Sequence, residues 1–218
     1  MNGDSLRSDP HAGQPVLTRG VALEDARAAL ILIHGRGSTA RDILALASQF
    51  EAPGVAFLAP QAAGGTWYPN RFIAPVASNE PWLGSALKAV MRVLARVAEA
   101  GIGSERVILL GFSQGACLAL EVAARSPRRY GGVAGLSGAL IENGDSPREY
   151  AGDLEGTPVF LGCSDVDFHI PAGRLDRSEQ LLLKLGASVD KRIYPGMGHT
   201  INEDELIAVQ ALITALPS

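Results

Sequence analysis

Val107-Ile108-Leu109-Leu110-Gly111-Phe112-Ser113-Gln114-Gly115-Ala116-Cys117-Leu118-Ala119-Leu120 is the stretch whose reading decides the fold. A purely apolar run, Val107 to Leu110, enters a Gly-x-Ser-x-Gly pentapeptide and leaves as an Ala- and Leu-rich segment, Ala116 to Ala124. A run that is apolar at every position suits a strand buried on both faces. The segment after it suits a helix. The chain therefore turns sharply from strand to helix at Ser113. Side chains two residues away on either side would collide with such a turn, and glycines stand at both positions, Gly111 and Gly115. The helix points unpaired N–H groups and the positive end of its dipole at the serine. The pentapeptide alone recurs by chance; the strand–turn–helix setting is what gives it meaning.

Outward from this unit, strand-like and helix-like patterns alternate. Ala28 to Ile33 reads as a buried strand ending at His34-Gly35. Ser38 or Thr39 caps a helix running to about Phe50. Val55 to Ala59 is a second short apolar run, stopped by Pro60, and a long loop with Trp67, Tyr68, Pro69 and Pro75 follows. From Pro81 to Ala100, Leu83, Leu87, Val90, Met91, Leu94 and Val97 recur at helical spacing, and Gly101 ends the helix. Arg106 to Leu110 is the strand before Ser113, and Gln114 to Arg125 the helix after it. Gly132 to Leu136, Pro158 to Leu161 and Ser188 to Tyr194 are further strands. Arg174 to Leu185 is helical, and Asn202 opens a last helix carrying Leu206, Ile213 and Leu216. Such alternation implies a mainly parallel sheet with helices on both faces. Residues 1–15 are polar and rich in Gly, Pro and Asp, so they read as a mobile tail in which His11 has no assigned role; residues 16–218 read as one α/β domain.

A serine hydroxyl needs a base within hydrogen-bond reach, and the base needs an orienting partner. With a serine on a strand-to-helix turn, the acid and then the histidine follow it in the chain. Of four histidines, only His169 and His199 follow Ser113. His199 lies in the glycine-rich loop Tyr194-Pro195-Gly196-Met197-Gly198-His199, at the carboxyl end of a strand, where active sites of open α/β sheets form. His169 lies too close to the candidate acids to fit the order well. The acid should follow the strand Pro158 to Leu161, and Asp165 and Asp167 both qualify. One of the two has the alternative of binding loop N–H groups, as aspartates often do. Spacing alone does not choose between them.

His34-Gly35-Arg36-Gly37 follows the first clear strand. Its glycines let backbone N–H groups face a substrate oxygen. Two such donors are expected, the N–H groups of Gln114 and Arg36. His34 reads as a loop-bracing residue and not as a proton carrier.

Composition narrows the remaining choices. The chain has 218 residues, 47% hydrophobic and 19% charged, enough to bury a large core. A net charge of -4, with no basic cluster, argues against nucleic acid as a partner. No run reaches the roughly 18 apolar residues of a membrane span. No apolar run of leader length opens the chain, so the expected location is cytoplasmic. Two cysteines, Cys117 and Cys163, do not make a disulfide framework. Cys117 reads as a buried free thiol.

Taken together, the motifs resemble the phospholipase/carboxylesterase family, which includes acyl-protein thioesterases and small bacterial carboxylesterases. The resemblance rests on His34-Gly35-Arg36-Gly37, Ala59-Pro60-Gln61, Trp67-Tyr68-Pro69, Gly111 to Gly115, Asp167 through Pro171, and Gly198-His199. It spans about residues 28 to 216. It implies the α/β-hydrolase fold, with a mainly parallel central sheet, helices on both faces and no large lid domain. The family's acid stands four residues before a proline, as Asp167 does before Pro171, so the resemblance assigns the role to Asp167. Phe168 departs from the family, which usually has proline there. The resemblance also makes Trp67 and Tyr68 the expected wall of the substrate pocket; packing of the loop onto the core is the alternative.

The expected activity is a serine carboxylesterase acting on small carboxylic esters, with Ser113, Asp167 and His199 as triad and Arg36 and Gln114 as oxyanion hole. An acyl-protein thioesterase and a lysophospholipase are the alternatives within hydrolases. A ligand-binding receptor on a hydrolase fold is the alternative outside them. No metal or organic cofactor is expected. The expected partner is a small-molecule ester, with no nucleic acid, no stable membrane insertion, and self-association, if any, as a homodimer.

Overall fold

The computed structural model describes residues 9–217. Its seven strands are β1 (Val16–Gly20), β2 (Ala28–Ile33), β3 (Val55–Pro60), β4 (Val107–Phe112), β5 (Gly132–Leu136), β6 (Pro158–Ser164) and β7 (Ser188–Tyr194). The helices are α1 (Ala40–Leu44), α2 (Trp82–Glu99), α3 (Gln114–Arg125), α4 (Ala172–Lys184) and α5 (Glu203–Thr214). The strands form one sheet in the order β1-β3-β2-β4-β5-β6-β7, parallel throughout except for β1.

Side chains on β2 point alternately to the two faces, so its uninterrupted apolar run feeds two cores at once. Ala29, Ile31 and Ile33 join one core with α2, α3 and α4. Ala28, Leu30 and Leu32 join the other with α1 and α5. This is the α/β-hydrolase arrangement, a mostly parallel sheet wrapped by helices on both sides.

The strand order positions the site. The chain passes from β2 outward to β3, then returns across β2 to β4 and continues the other way to β7. Neighbouring strands β2 and β4 thus send their connections in opposite directions. A crevice opens between their carboxyl ends, where open α/β sheets bind ligands. The loops at those two ends are His34–Gly37 and the turn at Ser113.

Four details depart from the sequence-based expectation. Strand β1 was not anticipated; it lies antiparallel on the outer edge of β3, from Val16↔Pro60 to Gly20↔Ala56. Val-Leu-Thr-Arg-Gly has no unbroken apolar run because an edge strand is only half covered. Strands β4 and β6 run on to Phe112 and Ser164, past their expected ends at Leu110 and Leu161. Backbone pairing carries them there, Gly111↔Gly135 in one and Ser164↔Tyr194 in the other, and needs no apolar side chain. The helix capped by Thr39 is α-helical only to Leu44 and tightens to a 3₁₀ turn from Ala45 to Gln49.

The expected mobile tail is corrected at residues 9–15; residues 1–8 lie outside the described residues. His11 is buried. Its Nδ1 accepts from Ala63 N at 3.1 Å, so Nε2–H donates to Trp67 O at 2.9 Å. Ser85 Oγ accepts from His11 N at 2.8 Å. These bonds satisfy backbone groups of the long loop that would otherwise be buried unpaired. Among the described residues, no helix is long and apolar enough to cross a membrane.

Helix α5 carries a stability switch. Asn202 and Glu205 form a capping box, with Glu205 Oε2 accepting from Asn202 N at 3.0 Å. Glu205 is fully buried, and its Oε1 has no hydrogen-bond partner among the described residues. Burial, more than its neighbours, pushes its carboxyl up to about 7. A raised acid contributes most below the unfolded value near 4.3 and loses that contribution as pH rises toward 7. Glu205→Gln keeps the capping acceptor without the charge. Thermal unfolding should show the variant gaining on the parent as pH goes from 5 to 8; an equal Tm difference at both pH values refutes the buried-charge account.

Candidate active site

Ser113 sits between β4 and α3 with φ 55° and ψ -120°. A non-glycine residue held there costs about 1–3 kcal/mol. The conformation is held by Ser113 N donating to Leu136 O at 2.9 Å and Cys117 N donating to Ser113 O at 3.1 Å. The flanking glycines are required on both sides. A Cβ on Gly111 would overlap the carbonyl of Gly115, and one on Gly115 would overlap the carbonyl oxygen of Ile33.

The structure brings Ser113, His199 and Asp167 into one line. His199 Nε2 lies 2.8 Å from Ser113 Oγ. His199 Nδ1 lies 2.7 Å from Asp167 Oδ2. With Nδ1 carrying the proton toward the carboxylate, Nε2 is left as the acceptor for the serine hydroxyl. The Asp167 side chain is fully shielded from solvent. Its other oxygen accepts from His169 N at 2.7 Å and Ile170 N at 3.1 Å. Burial opposes ionisation of Asp167, but bonds from His199 and from the His169 and Ile170 N–H groups outweigh it. The carboxyl is held below the usual carboxylate range.

The rival candidates have other work. Asp165 Oδ1 accepts from Gly196 N at 2.8 Å, so it anchors the loop that carries His199. Ser164 Oγ accepts from Gly198 N at 3.2 Å, and Ser137 Oγ donates to Thr200 O at 3.3 Å. That loop is therefore pinned on both sides of the imidazole. The His169 ring packs against His199 with centroids 4.7 Å apart, and its N–H to Asp167 comes from the backbone. Phe112 flanks the imidazole with ring centroids 5.0 Å apart. The Cys163 Sγ lies 3.7 Å from Asp167 Oδ2, and burial followed by that carboxylate pushes its thiol up to about 12. Such a thiol is inert as a nucleophile at neutral pH. Ser137 and Ser164 left no mark in the sequence, because ordinary serines at strand ends acquire these contacts only from a distant loop.

Gln114 and Arg36 line the same cavity as Ser113. Gln114 opens α3, so its N–H has no intrahelical acceptor. The Arg36 N–H makes no backbone hydrogen bond among the described residues. Gly35 brings that loop close: a Cβ added to it would stand 3.4 Å from the Ser113 Cβ. Side chains of the same two residues brace the long loop. Gln114 Oε1 accepts from Trp67 N at 2.9 Å, and Nε2 donates to Tyr68 O at 2.8 Å. The Arg36 guanidinium donates to the carbonyls of Tyr68, Pro69 and Asn70 at 2.8–2.9 Å.

A cavity of about 250 Å³ opens beside the serine. Tyr68 lines it, with Asn70, Arg71, Phe72, Cys117, His169 and Ile170. Trp67 does not, which corrects the expectation that both aromatics wall the pocket. Its indole is fully buried, and Nε1 donates to His34 O at 2.8 Å. A buried indole needs an acceptor, and it finds one beneath the His34–Gly37 loop. His34 braces from the same place: its buried ring accepts from Ala62 N at 3.1 Å and donates to Gly35 O at 2.8 Å.

Trp67 thus braces the start of the loop that carries Arg36. Trp67→Phe leaves the His34 carbonyl unpaired, a cost of about 1–3 kcal/mol. Urea unfolding should record that loss, and steady-state kinetics should show kcat falling more than KM rises. A stable variant with parental kcat contradicts the bracing role.

Comparison with known proteins places the chain in a family. The family model described as phospholipase/carboxylesterase matches residues 22–216. Acyl-protein thioesterase 1 of Saccharomyces cerevisiae is 29% identical over 205 residues, 84% of this chain and 90% of that protein. The crystal structure of a phospholipase/carboxylesterase from Dyadobacter fermentans superposes with a TM-score of 0.89 at 40% identity, covering 93% of this chain and 97% of that one. The structure of esterase PE8 gives 0.74 at 27% identity, over 94% and 98% of the two chains. A strained serine between strand and helix, an imidazole in reach of it, and a match across nearly the whole chain lead to one conclusion: the chain belongs to the phospholipase/carboxylesterase family of serine hydrolases.

Proposed function

We propose that the protein is a carboxylesterase that hydrolyses small esters through a Ser113–His199–Asp167 triad and an acyl-enzyme. The observation that carries the reading is the unbroken line of hydrogen bonds, 2.7 Å from Asp167 to His199 and 2.8 Å from His199 to Ser113. Ser113 Oγ attacks the ester carbonyl while His199 Nε2 takes the hydroxyl proton. The N–H groups of Gln114 and Arg36 hold the negative oxygen of the tetrahedral intermediate. When the intermediate collapses, His199 returns the proton to the leaving alkoxide. Water then enters, gives its proton to His199, and attacks the acyl-enzyme. Ser113 leaves with that proton, and a carboxylic acid is released. Asp167 keeps the imidazole tautomer correct throughout and stabilises its cationic form.

Pocket size favours small esters. About 250 Å³ lies at or below the low end of the roughly 300–1,000 Å³ typical of ligand sites. The yeast relative's name favours a second reading, a thioester of an acylated protein, which the same triad would serve. A series of p-nitrophenyl esters from acetate to palmitate separates the two. The esterase reading expects a sharp optimum at short acyl chains; an optimum at long chains, with faster turnover of an acyl thioester, moves the assignment to the thioesterase. One slow turnover per Ser113 would instead indicate a ligand receptor.

The triad itself is tested by substitution. Ser113→Ala should abolish labelling by a fluorophosphonate. Asp167→Asn should lower kcat by about 10⁴-fold, the scale seen when a triad acid loses its charge. Asp165→Asn should cost far less, since Asp165 holds a backbone N–H and not the imidazole. The reverse ranking would falsify the acid assignment.

A further inference from the structure

We infer that the leaving alcohol of the preferred ester carries an anionic group, a carboxylate or a phosphate, received by Arg71 at the cavity mouth. This rests on the esterase reading and narrows its substrate class. The ionisable side chains that give the cavity its charge are of one sign. Arg36 and Arg71 are cationic, and His169 and His199 are neutral or cationic in every protonation state. Tyr68 and Cys117 also line the cavity, but burial raises both, so they stay neutral. The chain as a whole is net acidic, at -4. A basic cavity on an acidic protein is a local arrangement and not a reflection of overall composition.

Three carboxylates close to residues of this wall are already engaged elsewhere. Asp167 is shielded behind His199, with both oxygens in hydrogen bonds. The backbone N–H of Glu142 bonds to Phe72 O, and its carboxylate goes to Arg174 and Arg177. Buried Glu121 is held by Arg125, Arg148 and the Tyr150 hydroxyl. The hydrogen bonds made by Arg36 and Arg71 go to carbonyl oxygens among the described residues: Arg36 to three in the long loop, and Arg71 to His169 O at 3.3 Å. The Arg36 charge is therefore fixed in place. Arg71 is exposed, with one long hydrogen bond, and has donors to spare.

Position selects the leaving side. Asn79 holds the backbone on both sides of this point, through Asn70 N and Arg71 O. From there the Arg71 guanidinium reaches across the mouth to the loop of His169, whose ring packs on His199. His199 delivers the proton to the departing alcohol, so that alcohol departs along the edge that Arg71 and His169 form. An anion on the alcohol meets a guanidinium there, with donors free for charge-assisted hydrogen bonds. The reaction remains ester hydrolysis: water is consumed, and an acid and a hydroxylated anion are released.

The test compares kcat/KM for four esters at low ionic strength: propyl acetate, 3-acetoxypropanoate, 2-acetoxyethyl phosphate and monoethyl succinate. The first is neutral, the next two are anionic on the alcohol, and the last is anionic on the acyl side. Expected is a preference of roughly ten- to hundredfold for at least one alcohol-side anion over propyl acetate, the scale of a charged hydrogen bond. The better of the two names carboxylate or phosphate. Added salt should erode the preference. Arg71→Gln should collapse the anionic-to-neutral ratio to near one, and Arg71→Lys should restore part of it. Equal rates for neutral and anionic esters, a preference for monoethyl succinate, or a ratio unmoved in Arg71→Gln each overturn the inference. Failure to hydrolyse any ester, with no fluorophosphonate labelling of Ser113, would instead remove the esterase reading beneath it.

Discussion

The molecule depends on one close approach, the packing of Gly115 against the carbonyl oxygens of Ile33 and His34. Nothing larger than a hydrogen fits there. Because it fits, the first turn of α3 lies against the end of β2, and the N–H of Gln114 and the loop at Arg36 share one crevice. The same contact forces the chain through a positive φ at Ser113. The serine side chain then projects from the apex of the turn into the crevice. Strain at one residue is the consequence of seating a helix N-terminus, a strand end and a serine hydroxyl in the same few ångströms. Cores on both faces of the sheet hold the elements that impose it.

Around this point the protein uses braces more than catalytic groups. Arg36, Gln114, His34, Trp67 and His11 spend their polar atoms on backbone groups of the loop between β3 and α2. Asp165, Ser164 and Ser137 do the same for the loop that carries His199. A loop holds a reactive side chain to within the tolerance of proton transfer only when its backbone groups are satisfied by fixed partners. Histidines therefore have two different fates in this structure. His11 and His34, driven toward the neutral form by burial, act as structural hydrogen-bond junctions, and only His199 faces the serine.

The family membership and the basic cavity speak to different levels. The fold and the serine-hydrolase chemistry are common to the family. The charge of the cavity comes from the side chains that ring its mouth. Arg71 and His169 come from loops where the chain is free to vary without disturbing the sheet, and such loops are where specificity resides on a shared scaffold.

The amino-acid sequence by itself determined the strand order's raw material: unbroken apolar runs for doubly covered strands, helical periodicity for α2, and the glycines that mark the turn at Ser113. These are local signals, read from neighbours a few residues apart. It also narrowed the base to His199 through chain order. The edge strand β1 escaped because half its residues face water and carry no pattern. Spacing left Asp165 and Asp167 equal, since both follow β6 within three residues. The family resemblance pointed to Asp167, and the tertiary structure gives the physical difference: one carboxylate faces the imidazole across 2.7 Å and the other faces a backbone N–H. The docking of His11, the burial of Trp67 and the charge of the cavity were likewise decided in three dimensions. Each depends on which distant loop arrives opposite a given side chain, and packing of the whole sheet sets that.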